Sequence, residues 1–122
     1  MKSYLKLAAI AALLVTLISI PVREVKAEEQ PDRPGSREQA EADKANKNLE
    51  VVFRDLMSKA DTKMKIRLRA AQLAWVKWKD AEANYIARRV AVGGSALRVA
   101  YAEAEEKLVK ERIAVLKAYA SE

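Results

Sequence analysis

The chain has 122 residues, one small domain's worth once any leader is set aside. It contains no cysteine and no histidine, which excludes disulfides, Cys/His metal sites and the usual nucleophile–base pairs of covalent catalysis. Three Gly and three Pro are too few for the frequent turns of a β-sandwich, and the formal charge of +6 needs correcting for a removable leader before it is interpreted.

Residues 1–27 read as a secretory signal peptide. Lys2 and Lys6 supply the positive start, and residues 7–20 are apolar apart from Thr16 and Ser19. Pro21 ends the run, and Val25 and Ala27 stand at the −3 and −1 positions of a cleavage site after Ala27. An apolar run of that length suits a leader and falls short of the roughly 20 residues that span a bilayer. The expected location is therefore periplasmic or secreted, by bacterial Sec-type export, with no stable membrane span after cleavage. Residues 1–27 hold four of the basic and one of the acidic residues, so the remainder carries 19 and 16, a net +3. That balance is ordinary, and nucleic acid is not an expected partner.

Residues 28–35 form a polar linker with two prolines and no apolar side chain, and are expected to be disordered. The folded domain then covers residues 36–122. Ser36, with Gln39 three residues on, has the pattern of a capping box opening a first helix at about 37–59. Its early part is polar and prone to fray. Leu49, Val52, Phe53, Leu56 and Ala60 make its buried stripe, and Asp55 with Lys59 makes an i,i+4 pair. Asp61 either ends that helix or caps the next.

A second helix is predicted over about 62–92. Leu68, Ala71, Trp75, Trp78 and Ile86 recur at three- and four-residue steps, with Gln72, Lys79 and Glu82 beside them. Lys63, Arg67, Lys77 and Arg88 fall away from the apolar stripe and read as a solvated, basic surface. Gly93-Gly94-Ser95 is the clearest break in the chain: a glycine to end one helix and Ser95 to cap the next. A third helix is predicted over about 96–119, with Leu97, Tyr101, Ala104, Leu108, Val115 and Tyr119 inward. Glu103–Lys107 and Glu106–Lys110 are i,i+4 pairs there. The fold class is all-α: an antiparallel three-helix bundle, or a helical hairpin with an extra N-terminal helix. Leu49, Phe53, Leu56, Leu68, Trp75, Trp78, Tyr101 and Leu108 are the expected core.

No catalytic, cofactor-binding or metal-binding residues are assigned. Asp80 and Glu82 are two apart and point to different sides of a helix, and Glu103, Glu105 and Glu106 alternate with lysines as a solvated face. Function therefore reads as binding rather than catalysis.

The order Ala71-Gln72-x-Ala74-Trp75-x-x-Trp78-Lys79-Asp80-Ala81-Glu82, then Gly93-Gly94-Ser95, then Arg112 with Leu116, resembles the bacterial lysozyme inhibitor LprI-like family. Upstream, Leu49-Glu50-x-x-Phe53 is similar to that family's Leu-Asn-x-x-Tyr. The resemblance spans about residues 37–116. It implies a helical domain that binds and inhibits lysozyme in the cell envelope, with Gln72, Lys79, Asp80, Glu82, Gly93, Gly94 and Ser95 as candidate partner-binding residues. The departures are Lys79 in place of an arginine and alanines at about 83 and 104, where members of the family often carry cysteines. Because animal-type lysozymes are basic, their approach would need a local acidic patch, and Glu103, Glu105, Glu106 and Glu111 are the dense candidates. The alternative reading is a non-catalytic structural or interaction module of the envelope with no lysozyme contact.

Overall fold

A computed structural model describes residues 33–122. The expected signal peptide, and residues 28–32 of the linker, lie outside the described residues. Three helices make up the described chain: α1 (Ser36–Lys59), α2 (Thr62–Val90) and α3 (Gly94–Ala120). No strand occurs among the described residues, and none of their helices is long and apolar enough to cross a membrane.

The connections are short, so each helix reverses on the one before it. Residues 60–61 join α1 to α2, and residues 91–93 join α2 to α3. As a result α1 and α3 run parallel: Gly35 lies against Val99, and Asn46 meets Glu105 further along both, about three turns on along α1 and between one and two along α3. Helix α3 packs along both others, whereas α1 and α2 scarcely touch each other. Gly35 at the level of Val99 means that the α2–α3 hairpin overhangs the start of α1 by about 7 Å, taking 1.5 Å per residue.

The interior divides in two. Ala45 and Leu49 of α1 close on Val109 and Leu116 of α3, with Val52, Phe53, Leu56, Leu68, Trp75 and Ile113 packed around them. Ala83 of α2 closes on Ala104 and Leu108 of α3, flanked by Ile86 and Tyr101. Small side chains make up much of this core, since Ala42, Ala45, Ala83, Ala87, Ala102 and Ala104 are all buried. They let the helices approach closely but bring little apolar area each.

Several sequence expectations need correcting. Trp78 is 51 % exposed, as is about half of Tyr119, and Val115 is exposed too. The inward line of α2 runs Leu68, Gln72, Trp75, Lys79, Ala83 and Ile86, and Trp78 lies a further 60° round on the flank. On α3 the buried arc is centred between two neighbouring helices, so Val109 and Leu116 are buried where Val115 and Tyr119 were expected. The early part of α1 is helical from Ser36, and Ala42 and Ala45 are buried against the bundle.

The caps differ as well. Gly35, not Ser36, is the N-cap of α1, and the Gln39 side chain donates forward to Asp43 (2.9 Å) rather than back to the cap. Residues 33–35, placed in the linker, form a turn closed by a bond from the Ser36 N–H to the Arg33 carbonyl (2.9 Å). Asp61 caps α2, its Oδ1 accepting from the Met64 N–H at 2.8 Å. Helix α2 ends at Val90 with Ala91 extended, so no glycine terminates it. Gly93 caps α3 without a side-chain bond, and Ser95 is already helical. The Asp55–Lys59 and Glu106–Lys110 pairs form, and Glu103–Lys107 is not among the ion pairs of the described residues.

Candidate functional site

The block of residues 72–82 lies on α2 where it faces α3. Gln72 Oε1 accepts from Arg112 Nε at 3.1 Å, and the same guanidinium stacks 5.6 Å over the Trp75 ring. One turn along from Trp75, Lys79 is 7 % exposed. Its Nζ donates to Glu105 Oε1 at 3.0 Å and pairs with Asp80 Oδ1 at 3.0 Å. Asn46 Nδ2 on α1 reaches the same Glu105 oxygen at 3.4 Å and donates to the Ala42 carbonyl at 3.0 Å. A single polar chain, Asn46–Glu105–Lys79–Asp80, thus ties all three helices together at one level. Among the described residues every buried side-chain nitrogen or oxygen has a partner, as low-dielectric surroundings demand.

Burial alone would lower the Lys79 pKa. The bonds to Asp80 and Glu105, and their charges, outweigh it and hold the ammonium above its ordinary 10.5. Burial, followed by the charges of Asp80 and Glu105, likewise raises the Tyr101 phenol above 10.0, with Lys79 opposing. Gln72 and Lys79 keep an opening only to a shallow groove of about 550 Å³ between α1 and α2, where Phe53, Trp75 and Val76 also lie.

Gly93, Gly94 and Ser95 stand at the opposite extreme. All three are exposed at the overhanging tip of the hairpin, with Val90 and the 99 % exposed Val92 beside them. Gly94 has φ +66°, in the left-handed region that favours glycine, and a Cβ built there meets nothing within 4 Å. Gly93 is simply extended. Helix α3 begins at the tip with no side-chain cap, so its first amides and the positive end of its dipole are not met by a capping side chain. Asp80 is exposed on its Lys79 pair, and Glu82 is half-buried about 16 Å down the helix from the tip, at 1.5 Å per residue.

The candidate residues therefore fall into two sets that the fold does not bring together: Gln72 and Lys79 in the seam, with Asp80 and Glu82 at its margin, and Gly93, Gly94 and Ser95 at the end of the hairpin. Glu105 is the correction on the acidic side. It was read as solvated, but its side chain is 13 % exposed and committed to Lys79. The proposed acidic patch shrinks to Glu103, Glu106 and Glu111, and Lys107 and Lys110 line the same shallow surface. Asn46 is absent from the sequence reading, and Glu105 enters it only as a member of the acidic patch, not as an interhelical tie. Their signal was positional: Tyr101, Glu105, Val109, Arg112 and Leu116 are spaced as one helix face.

An all-α domain whose inward polar residues act as interhelical ties, and whose exposed glycines sit at a hairpin tip, is a scaffold that presents a surface. Its sequence matches the model of the lysozyme inhibitor LprI family over residues 28–116, and the chain belongs to that family. No curated protein and no solved structure matches it. Ala83 and Ala104 are buried in one small cluster on the α2–α3 seam.

Proposed function

We propose that this protein is exported to the bacterial envelope and there binds lysozyme, blocking its substrate cleft without catalysis of its own. The observation that carries the reading is membership of the lysozyme inhibitor LprI family over nearly the whole described domain. The contact surface in this reading is the α2–α3 tip. It extends past the start of α1, and it combines exposed Val90 and Val92 with the uncapped start of α3. Arg89 precedes it and Arg98 follows it in the chain. A lysozyme cleft holds a carboxylic acid and a carboxylate flanking the scissile bond, so a tip rich in donors and positive charge is complementary to the interior of the cleft. The like-signed net charges of the two proteins then oppose long-range approach but not the local fit.

In this reading Gln72, Lys79 and Asp80 act by holding α2 and α3 in register, and Glu82 lies at the margin of the contact. The test is titration of the protein against a hen-type lysozyme in a cell-wall clearing assay. The reading expects saturable inhibition near one to one. Absence of inhibition at large excess overturns it in favour of an envelope module that does not touch lysozyme.

A further inference from the structure

The positive charge of the domain is concentrated on one helix. Helix α2 carries eight basic and two acidic residues, against five and five on α1 and five and four on α3. Helix α2 also packs on the bundle along one side only, mainly against α3. Its outward side is not an ordinary solvated face. Lys63, Lys77 and Arg88 run down the middle, and Arg67 lies about 60° round, on the side of Tyr85. Ile66 and Leu73, 62 % and 66 % exposed, form one flank, and Trp78 and Tyr85 form the other. Small Ala70, Ala74 and Ala81 fill the spaces between.

We propose that this outward face of α2 docks on an anionic phospholipid surface. Lys63 and Arg67 lie about 6 Å apart along the helix axis, and Lys77 and Arg88 follow at steps of about 15 Å, so the row spans about 37 Å. Charges so dispersed suit a surface of repeating anions and not one compact acidic pocket. The apolar flanks argue the same way. Tryptophan and tyrosine favour the headgroup level, long basic side chains reach out to lipid phosphates, and a flat bilayer meets both flanks of a straight helix at once. Asp80, the one acidic group near this face, is already paired with Lys79. The inference stands apart from lysozyme binding, which uses the hairpin tip.

The experiment is partitioning of the full chain onto vesicles of mixed phosphatidylglycerol and phosphatidylcholine, compared with pure phosphatidylcholine. Whatever the apolar residues 7–20 contribute is common to every variant. The expected result is at least about tenfold stronger partitioning onto the anionic vesicles, fading at high salt, with a blue shift of tryptophan emission that disappears in Trp78→Phe. The double change Lys77→Glu with Arg88→Glu weakens partitioning by about twentyfold, each lost charge counting for about fivefold. The same charge change on α1, Lys44→Glu with Lys47→Glu, leaves it within about twofold. Equal partitioning onto both vesicle types overturns the proposal, as does equal sensitivity to the two double changes. Binding to soluble polyglutamate, lost in Lys77→Glu with Arg88→Glu, without binding to anionic vesicles also overturns it, in favour of an acidic protein partner.

Discussion

The seam between α2 and α3 and the tip where those helices join lie on the same hairpin, yet they obey opposite rules. Along the seam, Gln72 is matched to Arg112 and Lys79 to Glu105. At the tip, Val92 is almost wholly exposed, Gly94 sits in open space, and α3 begins without a side-chain cap. A polar signature block is easily taken for a binding surface. Here Gln72 and Lys79 spend their hydrogen bonds internally, and the proposed function therefore assigns the contact with lysozyme to the exposed end of the hairpin.

The contrast breaks most sharply at Glu105. Glu105→Ala leaves the buried Lys79 ammonium with Asp80 as its remaining ion partner, and a loss of about 1–3 kcal/mol is expected in chemical denaturation. Lys79→Met combined with Glu105→Leu removes both charges and should recover most of that loss. A single change at Glu105 that left the midpoint unmoved would show the tie to be ornamental. An effect of comparable size is a gain. Ala83→Cys with Ala104→Cys places thiols in the same buried cluster, and the disulfide closes a loop whose constraint is worth about 3 kcal/mol. The comparison is the melting temperature of the oxidised and reduced forms.

Cutting the Gln72–Arg112 bond with Gln72→Ala should cost about 1.5 kcal/mol, because a charged donor loses its acceptor. At the tip, Gly94→Ala costs about 1 kcal/mol from the left-handed backbone alone, with no clash added. The pH profile sharpens the picture of the seam. Lys79 and Tyr101 both have folded pKa values above their ordinary 10.5 and 10.0, so the folded state holds more protons than the unfolded one just above pH 10. Their contribution is whole below about pH 10 and is lost as the pH rises through the folded values. Alkaline unfolding should therefore begin near pH 10 and move to higher pH in a variant lacking both Lys79 and Glu105. The smallest stability effect is expected for Val92→Asp, within about 0.5 kcal/mol, since the side chain touches almost nothing.

The helices were legible in the sequence because their breaks are chemical: Asp61 caps α2, and the Gly-Gly pair interrupts the apolar period. What was not legible turned on angle rather than on residue type. Trp78 and Lys79 are neighbours, and hydrophobicity alone assigns the tryptophan to the core and the lysine to water. The packing reverses both, because α3 lies nearer the Lys79 azimuth and supplies Glu105 to neutralise the charge. Glu105 was hidden for the same reason, among the alternating charges of residues 103–111. Ser36 and Ser95 have the residue type of caps, but Gly35 and Gly93 hold the cap positions, and Gly35 and Gly94 adopt left-handed backbone that serine would resist. The division of the candidate residues between seam and tip depends on which helix faces which, and no local pattern encodes that.

The measurement that bears most directly on this division of labour is a clearing-assay titration of lysozyme with the parent protein, Val92→Asp and Gln72→Ala, each first shown by circular dichroism to be folded. The account predicts saturation near one to one for the parent, at least about a tenfold weaker effect for Val92→Asp despite unchanged melting, and near-parent inhibition by folded Gln72→Ala. Full inhibition by Val92→Asp alongside loss in folded Gln72→Ala would contradict it and return the contact surface to the seam.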